Sequence, residues 1–435
     1  MMLDFFVVDS PLASLDQQSL DQQLLPALAE RQAQQLYRQR RVVDSVSGVN
    51  LVVDEKNYLS FCSNDYLGLA NHPEVISAFK TVADEFGVGS TASHLVCGHS
   101  RYHHELEEAF AAWLNRPRAL LFSTGYMANI GVLNALLGEG DQVFEDKLNH
   151  ASLLDGGLSS GAKFQRFLHN DVEQLAKKIS SSDSSSRYPK GINDRPGSLS
   201  ATEPDPGLRR DDGRNRKLIA VDGVFSMDGD LAPLPELSEV AIKNNAWLMS
   251  DDAHAIGVLG KTGAGCAEHF NLDVQQLPIV MATLGKGLGT FGAIVAGSDA
   301  LIETLIQFSR TYIYTTALPP AVAAATLASV KLAQTETWRR EKLQSLIARF
   351  RGGAMQLGLP LMQSETTIQP ILIGDSAEAL RISSALAERG IWISAIRPPT
   401  VPNGTARLRI TFSAAHTDEQ IDYLLENLSA VMAVR

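Results

Sequence analysis

Short apolar runs alternate with helical patterns from residue 117 to about residue 330. Runs typical of strands cover 118–123, 142–145, 217–222, 246–250 and 278–282, and apolar residues at helical spacing cover 125–137, 171–179 and 235–244. Strands that alternate with helices are typical of a mainly parallel sheet with helices on both faces. We therefore predict a large α/β domain over residues 59–330.

The pattern changes on both sides of this region. Beyond residue 330 a long polar helix is predicted over 337–356, and strand, helix, strand, strand and helix follow through residue 433. This order predicts a smaller C-terminal α+β domain over residues 331–435. Residues 20–41 are rich in helix formers, which predicts a helical N-terminal arm within residues 1–58.

Residues 180–216 interrupt the alternation. A serine run is followed there by scattered Pro, Gly, Asp and Arg with few apolar residues. Such a segment buries too little apolar surface to offset the entropy of ordering it. We predict a mobile surface insertion.

Composition narrows the classes of function. The net charge of −11 argues against non-specific binding of nucleic acid, which needs basic surface. Apolar runs fall short of the roughly 20 residues that a membrane helix needs, and the N-terminal residues lack the basic flank of a secretory signal. Cys62, Cys97 and Cys266 are widely spaced and odd in number, which suits the reducing cytoplasm.

Lys286 is the most informative single residue, because it lies among glycines directly after the apolar run 278–282. Partial desolvation there would lower the pKa of the lysine and favour a free amine that forms Schiff bases. The alternative is a solvated lysine in a flexible turn. A phosphate-binding P-loop does not fit the spacing. A dinucleotide fingerprint is present at 287–292, but the following residues predict a strand where that motif requires a helix.

Polar motifs follow three other predicted strands. Residues 123–126 open a helix, whose free amides could bind phosphate or serve only as a cap. Residues 222–226 and 250–254 bring carboxylates and His254 to strand ends, where open α/β sheets place their ligands. These acids could instead cap a helix. No metal site is predicted, because no second ligand with metal-site spacing accompanies the histidine.

Together these groups match one cofactor. Pyridoxal 5'-phosphate (PLP) carries a phosphate, an aldehyde that a lysine binds, and a ring nitrogen that an aspartate keeps protonated. Four motifs in this order are far more specific than any one of them. The sequence therefore predicts a PLP enzyme with Lys286 and Asp251 at its centre.

Six segments resemble the α-oxoamine synthase family: Ser63–Leu69, Ser123–Asn129, Asn149–Leu153, Asp222–Asp230, Asp251–His254 and Thr283–Lys286. The resemblance runs from about residue 25 to the C-terminus, except for the 180–216 insertion. It implies a fold-type I PLP enzyme, with a mainly parallel seven-stranded sheet, that condenses an amino acid with an acyl thioester and releases CO2. A homodimer with a shared site is also implied, in which Thr315 or Thr316 reaches the partner's phosphate.

The resemblance also implies roles for individual residues. Lys286 would bind the cofactor aldehyde and then remove the Cα proton, His150 would stack on the ring, Asp251 would pair with the ring nitrogen, and His254 and Ser226 would bind the phenolic oxygen. Gly125, Tyr126 and Thr283 would lie at the phosphate end. The substrate would contact Arg38, Asn64, Thr400 and Arg409, with Arg409 holding the carboxylate. Arg407, two residues earlier on the same strand face, binds an anion as well or pairs with an acid.

Residues 395–410 and 87–98 are most similar to the family branch that joins L-alanine to a pimeloyl thioester in biotin biosynthesis. The alternative within the family is the ligase branch, which takes glycine and acetyl-CoA. Outside it, the alternatives are a nicotinamide oxidoreductase and a catalytically silent partner subunit, and the intact lysine argues against the latter. The thioester is carried by coenzyme A or by an acidic acyl carrier protein, for which the basic residues 38–41 are a candidate surface.

Overall fold

A computed structural model of the chain describes residues 19–34, 36–38, 40–181 and 215–433. The chain forms two compact units, Met1–Val43 and Asp44–Arg435. In the first unit, helix α1 (Leu20–Ala33) begins at Ser19, whose side chain accepts from Gln22 N in a capping box. Arg38 is exposed. The predicted insertion at 180–216 falls almost wholly outside the described residues.

The large sheet has seven strands. In chain order they are β4 (Arg118–Phe122), β5 (Gln142–Asp146), β6 (Lys163–Phe167), β7 (Lys217–Asp222), β8 (Trp247–Asp251), β9 (Ile279–Thr283) and β10 (Ala293–Gly297), after β1 (Val43–Ser47), β2 (Asn50–Val53) and β3 (Lys56–Ser60) near the N-terminus. The spatial order is β4-β10-β9-β8-β7-β5-β6. Strand β10 is antiparallel to both of its neighbours, β4 and β9, and the other four pairings among the described strands of this sheet are parallel. The predicted mainly parallel seven-stranded sheet is confirmed.

Helices cover both faces of this sheet, because alternate residues of each strand are apolar on opposite sides. Leu121 and Val221 belong to one buried cluster, and Leu120 and Ala220 belong to another. The helices are α2 (Pro73–Phe86), α3 (Arg101–Trp113), α4 (Gly125–Leu136), α5 (Ala151–Ser159), α6 (Val172–Ser181), α7 (Leu234–Lys243), α8 (Cys266–His269), α9 (Asp299–Phe308), α10 (Arg310–Ile313) and α11 (Pro320–Thr335). A π-helical turn covers His94–Gly98.

The C-terminal region adds a three-stranded antiparallel sheet of order β11-β14-β13. Its elements are α12 (Trp338–Gln356), β11 (Ile368–Gly374), α13 (Ser376–Glu388), β12 (Ile391–Trp392), β13 (Ser394–Ile396), β14 (Ala406–Thr411) and α14 (Asp418–Ala433). Strand β12 instead pairs in parallel with β3 and extends the sheet β1-β2-β3-β12. Strands near the N-terminus therefore join the C-terminal region. The predicted domain limits at residues 58 and 330 stay predictions.

None of the described helices is both long and apolar enough to cross a membrane.

Candidate active site

The carboxyl ends of three neighbouring strands bring the polar motifs together. Asp222 ends β7, Asp251 ends β8, and the two residues are paired in register, so their side chains leave the sheet side by side. Thr283 ends β9, which is the next strand. Lys286 follows it by three residues. The predicted grouping of these motifs at one edge of the sheet is what the strand order produces.

Lys286 Nζ lies 2.8 Å from His254 Nε2, and His254 Nδ1 lies 2.6 Å from the Tyr66 hydroxyl. Burial lowers the pKa of Lys286, although the charges of Asp251 and Asp222 oppose the shift. Burial, followed by the charge of Lys286, holds the pKa of His254 well below its ordinary value. The imidazole is therefore neutral, and its Nε2 can accept a hydrogen bond from the lysine amine.

Arg409 begins a second set of contacts that reaches the same histidine. Its Nε donates to the Ser226 carbonyl at 2.6 Å, and its Nη2 donates to Asn64 Oδ1 at 3.3 Å. The same Asn64 oxygen accepts from the Tyr66 hydroxyl at 3.2 Å. Residues that the sequence assigned to the substrate carboxylate are thus joined to Lys286 through Tyr66 and His254.

Asp251 is buried and lies at the centre of a third set of contacts. Its Oδ2 accepts from Asn129 Nδ2 at 2.7 Å, and its Oδ1 accepts from Ala253 N at 2.9 Å. Asn129 Nδ2 also donates to Ser152 Oγ, which lies 2.7 Å from His150 Nδ1. The predicted ring-nitrogen partner and the predicted stacking histidine therefore belong to one hydrogen-bonded set.

Asp222 and Asp252 are the other two buried acids here. Asp252 Oδ2 accepts from the backbone N–H of Cys266 at 2.7 Å, which is a structural role. Asp222 Oδ2 accepts from His150 N at 3.0 Å, whereas Asp222 Oδ1 is buried without a hydrogen-bond partner. Burial, and next the charge of Asp251, raises the pKa of Asp222 well above its ordinary value. A cationic group beside two buried acids would stabilise their charged forms, and a protonated ring nitrogen is such a group.

The predicted phosphate end is the start of α4. Thr124 caps this helix through Met127 N, which leaves the first helical amides of Gly125 and Tyr126 at its N-terminus. A Cβ on Gly125 would lie 2.6 Å from Thr283 Cγ2, so only glycine allows Thr283 this close to the helix. The Tyr126 ring meets the His150 ring edge-on, with centroids 6.3 Å apart, and its hydroxyl donates to Asp155.

The glycines around Lys286 have a packing role. Strand β10 follows them, so the fingerprint at 287–292 opens no helix. A Cβ on Gly287 would lie 2.5 Å from the Ile256 carbonyl, and one on Gly289 would lie 2.4 Å from Ala70 N. These glycines therefore allow close packing around the lysine.

The remaining predicted residues have other surroundings. Thr400 is exposed in the loop before β14, where its backbone N–H donates to Arg397 O at 3.0 Å. Arg407 forms a buried ion pair with Asp228, which decides between the two roles left open for it. Thr316 O accepts from Ser123 Oγ at 3.1 Å. The substrate roles of Arg38 and Thr400 stay predictions.

Sequence reasoning gave no role to Tyr66, Asn129, Ser152 and Asp222. All four lie inside the six segments that carry the family resemblance. Their contacts depend on strand register and on long-range packing, since Tyr66 lies 188 residues from His254 in the chain. The sequence showed only that each of these residues belongs to a family motif, and it did not show which residue each one contacts.

The comparisons with known proteins agree with this site. A family model described as aminotransferase class I and II matches residues 56–428. The chain is 59% identical to the 8-amino-7-oxononanoate synthase of Cellvibrio japonicus over 95% of its length and 96% of that protein, and 56% identical to that of Saccharophagus degradans over 95% and 97%.

Solved structures give the same result. A serine palmitoyltransferase from S. paucimobilis with a bound PLP–myriocin aldimine has a TM-score of 0.84 at 31% identity, covering 96% of this chain and 99% of that one. An 8-amino-7-oxononanoate synthase from Francisella tularensis has a TM-score of 0.70 at 31% identity, covering 86% and 98%. The predicted family and fold are confirmed. The chain belongs to the class I and II aminotransferase family and, within it, to the 8-amino-7-oxononanoate synthases.

Proposed function

We propose that this enzyme uses PLP to condense L-alanine with a pimeloyl thioester, giving 8-amino-7-oxononanoate, CO2 and a free thiol in biotin biosynthesis. The observation that carries the proposal is the contact of a desolvated Lys286 amine with His254, between the Asp222–Asp251 pair and Arg409. The names of the relatives favour this reaction over the alternative with glycine and acetyl-CoA. The free cysteines suit a cytoplasmic enzyme.

The residues present fit PLP at each of its polar groups. Lys286 would bind the aldehyde, His254 and Ser226 the phenolic oxygen, and Gly125, Tyr126 and Thr283 the phosphate. Asp251 would pair with the ring nitrogen, and Asp222, which has one unpartnered oxygen, lies beside it in register. His150 would stack on the ring. When bound, PLP supplies an electron-withdrawing ring that accepts the electron pair of the Cα–H bond.

Lys286 moves the proton, and His254 orients the lysine amine. Because burial lowers the pKa of Lys286, its amine is neutral more often than an ordinary lysine and can take the Cα proton of alanine. In the hydrogen-bond pattern that satisfies every donor, His254 Nδ1–H donates to the Tyr66 oxygen and the Tyr66 hydroxyl donates to Asn64. His254 Nε2 then accepts from Lys286 and holds the amine toward the substrate.

Arg409 binds the carboxylate of alanine and orients it. Its guanidinium is held by Ser226 O and Asn64 Oδ1, both neutral acceptors, so its charge is left for the substrate. Fixing the carboxylate keeps the Cα–H bond within reach of Lys286 and delays loss of CO2 until the acyl group has been transferred. The proposal therefore assigns to Arg409 the binding of the carboxylate, which keeps CO2 loss after acyl transfer, and it assigns proton transfer to Lys286.

We also propose that the enzyme is a homodimer with a shared site. Val88 and Val96 are 88% and 77% exposed, and Tyr314 is 68% exposed. The loops that carry them meet at the Ser93–Thr316 bridge. Exposed apolar side chains on adjoining loops are typical of an interface. A sedimentation measurement that gives a monomer at micromolar concentration would contradict this.

The test of the reaction pairs alanine, glycine and serine with pimeloyl and acetyl thioesters, on coenzyme A and on acyl carrier protein. Thiol release and the mass of the aminoketone are measured. Alanine with the pimeloyl thioester should be the best pair, and Lys286→Ala should abolish turnover, while Lys331→Ala, an exposed lysine on α11, should not. Faster reaction of glycine with acetyl-CoA would overturn the substrate assignment. Arg40→Ala should weaken only the carrier-protein substrate if residues 38–41 bind that carrier.

A further inference from the structure

The loop after β7 forms a short hairpin. Ala232 N donates to Gly223 O at 3.1 Å, Phe225 N donates to Asp230 O at 3.0 Å, and Gly229 N donates to Phe225 O at 2.8 Å. We call residues 223–232 the hairpin loop. Its tip supplies both arginines of β14 with partners, since Ser226 O binds Arg409 and Asp228 pairs with Arg407. The position of this loop therefore sets the position of the substrate arginine.

The turn after β5, residues 146–150, carries His150. Asp146 shapes this turn, because its Oδ1 accepts from Leu148 N at 2.8 Å and its carbonyl accepts from Asn149 N at 3.2 Å. His150 N in turn donates to Asp222 Oδ2 at 3.0 Å. The turn and the hairpin loop thus flank the acid pair from two sides.

His169 bridges the turn and the hairpin loop. Its Nδ1 lies 3.2 Å from Asp146 Oδ1, and its Nε2 lies 2.8 Å from Asp230 Oδ2. Because each ring nitrogen faces a carboxylate oxygen, both must donate, so the ring is an imidazolium and has no lone pair for a metal ion. The Phe225 ring packs edge-on against it, with centroids 4.4 Å apart.

Asn170 repeats the same bridge next to it. Its backbone N–H donates to Asp146 Oδ2 at 2.7 Å, and its Nδ2 donates to Asp230 Oδ2 at 3.0 Å and to Leu231 O at 3.1 Å. Its φ of 55° is in the left-handed region, which asparagine tolerates better than most residues. Two consecutive residues therefore tie the same two carboxylates together.

We propose that His169 is a positioning residue for the condensation: as an imidazolium it joins Asp146 to Asp230 and so aligns Arg409, through the hairpin loop, with His150 and Lys286. This inference rests on the proposed function, because it assigns the binding of the alanine carboxylate to Arg409. His169 itself need touch neither substrate nor cofactor. Its effect is on the distance and angle between the two halves of the site.

The proposal predicts a dependence on pH. Burial alone would lower the pKa of His169, but hydrogen bonds and charges from Asp146 and Asp230 raise it to about 9. The third acid near the ring, Asp228, is paired with Arg407. Since the pKa in the folded protein is raised, the bridge is intact at neutral pH and is lost as the pH rises through about 9.

The first experiment compares His169→Gln with His104→Gln, an exposed histidine whose Nε2 lies 3.4 Å from Glu108 and whose ring meets His99. At about pH 7.5, the KM for alanine should rise about ten-fold in His169→Gln, because the charge-assisted bonds that are lost hold the hairpin loop and, through it, Arg409. The KM for the thioester should change by less than about two-fold. His104→Gln should match the wild type. At about pH 10 the wild type and His169→Gln should converge, since most His169 side chains have then lost the bridging proton.

Two further measurements separate positioning from folding. Asp230→Asn removes one of the two charges that raise the pKa of His169, so the alkaline rise in the KM for alanine should move to lower pH. Hydrogen exchange on the cofactor-free protein should be faster in 146–150 and 223–232 in His169→Gln than in the wild type, and unchanged in His104→Gln. This second readout does not depend on activity.

The outcomes distinguish the two proposals. If His169→Gln keeps the wild-type KM for alanine at both pH values, or if exchange in both segments is unchanged, the bridge has no positioning role and the proposed reaction stands. If the wild type does not use alanine, the proposed function fails, and hydrogen exchange still decides whether His169 holds the two segments. If His169→Gln does not fold, the pH profile of Asp230→Asn decides, and an unmoved profile overturns the proposal.

Discussion

Arg407 and Arg409 lie two residues apart on one face of β14 and contact the same hairpin loop, yet their surroundings differ in charge. Arg407 is buried in an ion pair with Asp228. Arg409 is held by a carbonyl and an amide oxygen and forms no ion pair with a described carboxylate. The comparison shows that neutral acceptors leave the Arg409 charge uncompensated by a described acid, whereas the acid beside Arg407 makes that arginine part of the fold.

The largest expected effect comes from breaking the ion pair between Arg407 and Asp228. Asp228→Asn leaves the Arg407 cation buried without its counter-charge, and removal of one partner of a buried ion pair costs about 3 kcal/mol of unfolding free energy. Chemical denaturation of the cofactor-free protein measures this loss. Asp84→Asn, an exposed acid on α2, is the control and should change stability by less than about 0.5 kcal/mol. An Asp228→Asn protein as stable as the wild type would show that the pair contributes nothing to the fold.

The next largest effect tests Arg409, the arginine without an acidic partner among the described residues. Arg409→Gln removes a charge-assisted contact worth about 2 kcal/mol, so the KM for alanine should rise roughly thirty-fold while the KM for the thioester stays within about two-fold. The control is the double variant Arg407→Gln with Asp228→Asn, which removes the neighbouring arginine without leaving a buried charge. An equal and selective rise in that double variant would contradict the division of roles between the two arginines.

This division marks the limit of what the sequence could predict. The spacing of two residues placed both arginines on one face, which the structure bears out, because both contact residues 226–228. It could not tell which one meets an acid, since Asp228 lies 179 residues earlier than Arg407 and the pairing depends on how the hairpin loop folds. Apolar runs predict six of the seven strands of the large sheet, because those six are mostly buried. Strand β6 has no such run, since Phe167 is its only buried residue.

The buried acids of the site also have contacts that the sequence could not predict. Adjacent Asp251 and Asp252 have nearly the same local sequence context, and the sequence analysis assigned the first of them to the ring nitrogen. In the structure Asp252 accepts a hydrogen bond from Cys266 N, and Asp251 accepts one from Asn129 Nδ2. The pairing of Asp222 with Asp251 needs the β7–β8 register, which no local pattern contains. The sequence therefore predicted the chemistry of the site but not its supporting contacts.

A third prediction concerns a variant that gives Arg409 an acidic partner. Asn64→Asp puts a carboxylate at the position that now offers Arg409 an amide oxygen at 3.3 Å. The new acid competes with the substrate carboxylate, so the KM for alanine should rise about ten-fold, an effect between that of losing one neutral hydrogen bond and that of losing the arginine. Asn64→Ala is the matched control, with a rise of only about three-fold expected. An Asp variant no worse than the Ala variant would contradict the competition.

The smallest effect uses Cys62 as a probe of the uncompensated charge. Burial raises the pKa of the Cys62 thiol, and the Arg409 charge is among the interactions that oppose the rise. Arg409→Gln removes this opposition, so less thiolate forms and alkylation of Cys62 at about pH 8 should slow roughly two-fold, corresponding to a few tenths of a pKa unit. Peptide mass spectrometry follows Cys62 separately from the exposed Cys97.

The paired arginine provides the control for this probe. The double variant Arg407→Gln with Asp228→Asn removes one positive and one negative charge together, so the field at Cys62 should hardly change and its alkylation rate should equal that of the wild type. Cys97 should react at one rate in all three proteins. If the double variant slows Cys62 as much as Arg409→Gln does, the two arginines are electrically alike, and the charge left free at Arg409 cannot be what selects it for the substrate.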